Sequence, residues 1–171
     1  MNFAVRGVAF FALLALALFM LGCTATLPDK NAFEQLAALQ EKYSAKVSFP
    51  ANEIMLNDYV SELSLLRGKT AGSAAKVIDA ELYSAQAFYY LNKSLSTSAG
   101  IDFSTVRCSS KEIMDSVSSA ALAKEYCNKA VSALGALSSD ESKYLRSNQL
   151  GAVKGYGDKI VQLESFFKGK C

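Results

Sequence analysis

The chain has 171 residues, with 18 Lys or Arg against 16 Asp or Glu, and it contains neither His nor Trp. This near balance of charge argues against a surface that follows a phosphate backbone, so we expect no nucleic-acid partner. The lack of His excludes Ser-His and Cys-His nucleophiles and removes the commonest general base and metal ligand. We therefore expect a protein that is not an enzyme and holds no cofactor.

The first 22 residues have the pattern of an export signal. Arg6 is followed by apolar or small residues from Gly7 to Gly22. About 15 apolar residues fall short of the roughly 20 that a membrane-spanning helix needs, and they match the apolar region of a secretory signal peptide. Residues 1–22 are therefore predicted to direct export and to be removed.

Cys23 directly follows this segment, in the stretch Met20-Leu21-Gly22-Cys23. The stretch resembles the lipobox of prokaryotic membrane lipoproteins, in which a large apolar residue and small residues precede a cysteine that receives lipid. The resemblance implies that Cys23 becomes the lipidated N-terminus, anchored in a membrane and facing its extracytoplasmic side. Two alternatives remain open: cleavage after Ala25 without lipid, and an uncut segment that stays as a short tilted anchor.

The composition of the remainder predicts an all-α fold. Pro28 and Pro50 are the only prolines, and Ala, Leu, Lys, Glu and Ser dominate the chain after them. Residues 23–30 have no apolar periodicity and are predicted to be a tether. Residues 31–171 are predicted to form a single domain, an antiparallel helical bundle of about five helices of which the last three are long.

Apolar residues three or four apart predict where these helices lie. The first covers residues 31–46, the second ends at Gly68, and the third stops before Gly100. Each of the last two begins with a Ser-x-x-Glu capping box, at residues 109–112 and 138–141, and a very short turn is expected between them. A partial similarity between residues 87–96 and 123–132 leaves a tetratricopeptide-like interaction protein as an alternative.

Three cysteines remain if Cys23 carries lipid. Cys127 lies about 27 Å along the fourth helix from Cys108, well beyond the roughly 7 Å that a disulfide spans between Cα atoms. Folding the last two helices together at Ser138 instead brings Cys108 close to Cys171. We predict a Cys108–Cys171 disulfide and a buried Cys127 thiol. Three free thiols, or a bridge from Cys171 to another molecule, are the alternatives.

Carboxylates and tyrosines are the remaining candidates for a site. Asp79 and Glu81 flank Ala80, but without His the Glu-x-x-His pattern of a di-iron bundle cannot be built. A hydrolase that uses carboxylates and a bound metal is the enzymatic alternative. Aromatic residues cluster on the third helix and cannot all face one side, so Tyr83 or Tyr90 is expected at the surface as a partner-binding aromatic.

These patterns together predict a lipid-anchored binding or scaffolding module of the cell envelope, with another envelope protein as its partner. The alternative is a carrier whose bundle holds a small apolar ligand. An enclosed apolar cavity of about 300 Å³ or more favours the carrier, whereas a filled core favours the module.

Overall fold

The computed structural model describes residues 29–43, 52–102 and 107–171. This part of the chain contains α-helices and no strand, which confirms the all-α prediction. The predicted signal peptide, Cys23 and most of the predicted tether lie outside the described residues. The helices are α1 (Asp29–Tyr43), α2 (Glu53–Arg67), α3 (Gly72–Ala99), α4 (Lys111–Gly135), α5 (Ser139–Ser142) and α6 (Gln149–Lys170).

Helix α3 is the centre of the bundle. It contacts α1, α2, α4, α5 and α6, and pairs most extensively with α4. Half of its 28 residues are buried, over a broad face rather than a narrow stripe, as expected for a helix with neighbours on several sides. A repeat of 34 residues cannot contain two helices of the lengths of α3 and α4, which have 28 and 25 residues. The lengths of α3 and α4 thus give the tetratricopeptide alternative no support.

Two groups of buried apolar side chains form the core. One joins α1 and α2 to the first half of α3, with Leu36, Leu63 and Ile78 among its members. The other joins the second half of α3 to α4 and α6, through residues such as Leu91 and Ile160. The candidate site described below is lined by residues of α3 at the boundary between these two groups.

Helix α1 begins at Asp29, two residues earlier than predicted. The Asp29 carboxylate lies in the first turn, where the helix dipole favours a negative charge. It also accepts a hydrogen bond of 2.9 Å from the hydroxyl of Ser73, at the start of α3. The predicted boundary of the tether at residue 30 is therefore wrong by two residues, because this contact holds Asp29 in the folded part.

The N-terminus of α4 differs from its prediction by one residue. Ser110, rather than Ser109, is the N-cap, and its Oγ accepts a hydrogen bond of 3.4 Å from the backbone N–H of Ile113. The residue at the third helical position is therefore Ile113, which has no side-chain acceptor to complete a capping box. The capping box predicted between Ser109 and Glu112 is wrong for this reason.

The second capping box is confirmed, but the helix that it begins is short. Ser138 Oγ accepts from the N–H of Glu141 at 3.3 Å, and Glu141 Oε2 accepts from the N–H of Ser138 at 2.8 Å. Helix α5 nevertheless ends at Ser142, and α6 begins only after Asn148, whose φ of 61° is left-handed. The single fifth helix that we predicted is two helices, so the predicted very short turn is also wrong.

We expect Ser138→Ala to lower the free energy of unfolding by about 1 kcal/mol, because the N–H of Glu141 loses its acceptor. The urea concentration at the midpoint of unfolding is measured and converted to a free energy with the measured slope of the free energy against urea concentration. Ser139→Ala is the matched control, since Ser139 Oγ makes no part of the capping box. Equal midpoints for the two variants would show that the cap contributes nothing.

The cysteines have the arrangement that the helical hairpin predicted. Cys108 and Cys171 lie at disulfide distance, with their Cα atoms 5.5 Å apart, and join the segment before α4 to the end of α6. Cys127 is a buried free thiol whose Sγ donates to the carbonyl of Val153 at 3.2 Å. Burial raises the pKa of the Cys127 thiol. One end of the α4–α6 pair is thus fixed by the Cys108–Cys171 pair.

Candidate functional site

A buried carboxylate lies in the middle of the bundle. Glu81 of α3 is only 2% exposed. Its Oε1 accepts a hydrogen bond from the hydroxyl of Tyr59, on α2, and its Oε2 accepts one of 3.3 Å from Gln40 Nε2, on α1. Arg146 Nε, from the segment between α5 and α6, lies 3.7 Å from Glu81 Oε1. Three separate parts of the chain therefore converge on one carboxylate: two donate hydrogen bonds to it, and Arg146 balances its charge.

Arg146 also holds Tyr59 in place. Its Nη2 donates a hydrogen bond of 3.2 Å to the Tyr59 hydroxyl, and its guanidinium carbon lies 5.3 Å from the centre of the Tyr59 ring. Burial raises the pKa of Tyr59, the negative charge of Glu81 raises it further, and Arg146 opposes the rise. Tyr59 is therefore a neutral phenol that donates to Glu81 and accepts from Arg146.

A cavity of about 230 Å³, partly open to solvent, adjoins this network. Its lining includes the polar side chains of Glu81, Arg146 and Gln149. It also includes aromatic side chains, among them Phe88 and Tyr156, whose ring centres are 5.3 Å apart. Burial raises the pKa of Tyr156, so its hydroxyl also stays protonated at neutral pH. The cavity thus offers both polar and apolar contacts to a small molecule.

Two buried polar atoms beside the cavity have no hydrogen-bond partner among the described residues. They are Arg146 Nε, a donor, and Gln149 Oε1, an acceptor, and both side chains line the cavity. The ion pair between Arg146 Nε and Glu81 is too long to be a hydrogen bond. A buried polar group without a partner costs about 1–3 kcal/mol. Both atoms are buried, so neither is exposed to the cavity itself.

The other candidate carboxylates are not part of this cluster. Asp79, two residues from Glu81, instead accepts a hydrogen bond of 2.7 Å from Arg67 Nε at the end of α2. Within residues 29–43, 52–102 and 107–171, no three His, Cys, Asp or Glu side chains converge into a group that could hold a metal ion. None of the helices in the same ranges combines the length and hydrophobicity needed to cross a membrane.

The structure places both predicted partner-binding tyrosines in half-buried positions. Tyr83 and Tyr90 pack against the core group formed by α3, α4 and α6. The Tyr90 ring stacks on that of Tyr126, with 5.6 Å between centres and 3° between planes. Neither tyrosine lines the cavity, so the predicted aromatic site and the Glu81 cluster are separate features.

Sequence reasoning considered Glu81 only as one of several carboxylates and missed Tyr59 and Arg146 as its partners. One signal was present: Glu81 lies four residues after Val77 and four before Ala85, in the apolar register of α3. A charged residue in that register must be buried with a partner. Nothing local identified that partner, because Tyr59 and Arg146 are 87 residues apart.

The chain matches no protein-family model, and it has no significant match among curated protein sequences or solved structures.

Proposed function

We propose that this protein is exported, is anchored by lipid on Cys23 and binds a small molecule at the cell envelope. The signal-like residues 1–22 and the resemblance of the Cys23 segment to a lipobox support the anchor. Only five residues lie between Cys23 and Asp29, the first described helical residue. Fully extended, the six steps from Cα to Cα span about 20 Å, so the anchor holds the helices close to the membrane surface.

The cavity beside Glu81 is the observation that supports binding. It is lined by an ion pair and by three aromatic residues, and it is partly open to solvent. Its volume of about 230 Å³ is below the roughly 300 Å³ expected of an apolar carrier. The lining also includes the polar side chains of Ser84, Arg146 and Gln149. The ligand is therefore small and partly polar.

Titration with small benzene derivatives tests this proposal. The probes are benzyl alcohol, acetophenone, benzamide, benzoate and benzylammonium, each added to the mature protein in lipid nanodiscs, with empty nanodiscs as the blank. Ala152→Phe fills the cavity from an exposed position of α6, and Ala38→Phe makes the same change on an exposed face of α1 away from it. We expect saturable binding that Ala152→Phe abolishes and Ala38→Phe preserves. Binding that is unaffected by Ala152→Phe, or absent for every probe, would contradict the proposal.

The anchor is tested independently of the cavity. Cells that express the protein and grow on an alkyne-labelled fatty acid should incorporate the label into the wild-type chain, because the Cys23 sulfur is the attachment atom. Cys23→Ala should incorporate none. Cys127→Ala, which removes a different thiol, should be labelled like the wild type. Equal labelling of the Cys23→Ala and wild-type chains would refute lipid attachment at Cys23.

An envelope protein partner is the second candidate, and an apolar groove between α4 and α6 favours it. This groove, of about 300 Å³, lies beside the Cys108–Cys171 pair. Met114 and Val117 line it and are 61% and 43% exposed. Such exposed apolar side chains on one face are typical of a protein-binding surface. Partner contacts through Tyr83 and Tyr90 remain a prediction.

Site-specific photo-crosslinking in the membranes of the source cells tests this second candidate. A photoreactive side chain at Met114 should give one discrete adduct with a protein that mass spectrometry identifies. The same side chain at Ile54, which is 74% exposed on α2, should not. Identical adducts from both positions, or none from Met114, would remove the groove as a partner site.

A further inference from the structure

The ion pair in the wall of the cavity is exposed unequally. Glu81 supplies a carboxylate to the lining, but both of its oxygens already accept hydrogen bonds from other side chains. The Glu81 side chain is 3% exposed, whereas that of Arg146 is 28% exposed. A molecule in the cavity therefore meets the cation of the pair rather than its anion.

The polar atoms that remain open to contact are donors. Arg146 Nη1, Gln149 Nε2 and Tyr156 Oη make no hydrogen bond to any described residue, and solvent reaches them because they are not fully buried. The two nitrogens can only donate. Burial raises the pKa of Tyr156, while Arg146 lowers it and Glu81 raises it, so the Tyr156 hydroxyl lies within range of both charges. This protonated hydroxyl is a third donor.

The start of α6 favours the same polarity of ligand. Gln149 and Ala152, from the first four residues of α6, line the cavity, and the first turn contains no acidic residue. The N-cap residue Asn148 makes no side-chain hydrogen bond to that turn. Because the positive end of the helix dipole has no compensating side chain there, it adds to the attraction of Arg146 for a negative charge.

The rest of the wall limits the body of the ligand. Leu56, Phe88 and Val153 contribute apolar side chains to the lining. The rings of Phe88 and Tyr156, with 5.3 Å between their centres, offer a surface for a flat or apolar group. The volume of about 230 Å³ is smaller than that of a site for a drug-sized molecule, so the body must be compact.

We infer that the cavity binds a small carboxylate with a compact aromatic or apolar body, whose oxygens accept hydrogen bonds from Arg146 Nη1 and Gln149 Nε2. This inference rests on the proposed function and adds the chemical class of the ligand. A carboxylate only accepts, and its charge strengthens each hydrogen bond to a guanidinium. It need not displace Glu81, which lies 3.7 Å from Arg146 Nε, or Tyr59, which accepts from Arg146 Nη2.

The five benzene derivatives separate the possible chemistries at nearly constant size. Dissociation constants are measured by isothermal titration calorimetry on the mature protein in nanodiscs. We expect benzoate to bind at least about fivefold more tightly than acetophenone or benzamide, because its hydrogen bonds are charge-assisted. Benzylammonium, which has only donors and a positive charge, should bind most weakly.

Two variants assign the contacts, and a third is the control. Gln149→Met keeps the length of the side chain but removes Nε2, so benzoate should bind about fivefold more weakly. Arg146→Lys keeps a positive charge beside Glu81 but removes the planar fork, so benzoate should lose most of its advantage over acetophenone. Arg67→Lys makes the same change in the 2.7 Å contact with Asp79, outside the cavity, and should leave the ranking of probes unchanged.

The outcomes distinguish this inference from the proposed function. Probes that bind in the cavity with equal affinity, or a preference for benzamide, acetophenone or benzylammonium, would overturn the carboxylate inference while leaving small-molecule binding in place. A benzoate advantage that survives both Arg146→Lys and Gln149→Met would overturn the assigned contacts. Failure of every probe to bind in a manner that Ala152→Phe abolishes would overturn both. The ranking on the wild-type protein stands without the variants, should one of them fail to fold.

Discussion

Replacing both Cys108 and Cys171 by Ser should lower the free energy of unfolding by roughly 4 kcal/mol. The two residues are 63 positions apart in the chain, and closing a loop of that length restricts the unfolded state by about this amount in the chain-entropy model. The folded state should lose little, because both residues are exposed and lie outside the helices, Cys108 shortly before α4 and Cys171 directly after α6. Urea unfolding of the double variant and the wild type measures the difference.

Two controls separate this loop effect from loss of packing. Wild-type protein unfolded in the presence of a reductant should have the midpoint of the double variant. Cys127→Ala removes a buried sulfur that takes part in no bridge, and it should leave the difference between oxidised and reduced protein unchanged. A wild-type midpoint that does not respond to reductant would contradict the disulfide.

Glu81→Ala should destabilise the protein by about 3 kcal/mol. The change takes the acceptor from the buried hydroxyl of Tyr59 and from Gln40, and it leaves Arg146 without its nearest counter-charge. Removing one partner of a buried ion pair is costly because the other charge stays desolvated. Thermal or urea unfolding measures the loss, with Glu81→Gln as an intermediate variant that keeps the size of the side chain.

Glu125→Ala is the matched control for that variant. Glu125 forms an ion pair of 2.6 Å with Lys129, shorter than the contact between Glu81 and Arg146, but both side chains are about half exposed. Solvent screens such pairs, so the loss should be less than about 0.5 kcal/mol. Similar losses for Glu81→Ala and Glu125→Ala would show that Glu81 is not the buried centre of the network.

The buried ion pair bears on function as well as on stability. Well-packed apolar side chains in place of a buried pair are often equally or more stabilising, so stability alone does not require Glu81 and Arg146 in the core. Their position beside a cavity that reaches solvent supports a binding role. The stability prediction for Glu81→Ala and the binding prediction for Ala152→Phe therefore test different properties of one site.

Local signals predicted much of the fold. The apolar spacing of α3 and the reciprocal hydrogen bonds of Ser138 and Glu141 involve residues close in sequence, and both were recognisable there. The proximity of Cys108 and Cys171 followed from helix length and a single point at which the chain folds back. The prediction holds although the last helix is divided, because α6 still returns the chain along α4.

Long-range contacts account for the features that the sequence did not predict. Apolar spacing continues through Leu145, so it predicted a continuous helix where the chain instead leaves the helix between α5 and α6. That irregular segment places Arg146 in contact with Tyr59 of α2 and Glu81 of α3. The candidate site depends on this one break, and no residue near Arg146 signals which side chains it meets.

The most direct test of a lipid-anchored, ligand-binding protein is the mass of the chain extracted from the membranes of its source cells, measured under native and then denaturing conditions. We expect a denatured chain that begins at Cys23 and carries added acyl mass, and a native species that is heavier by one small molecule. An unmodified chain cut elsewhere, with equal native and denatured masses, would contradict both the anchor and the bound ligand.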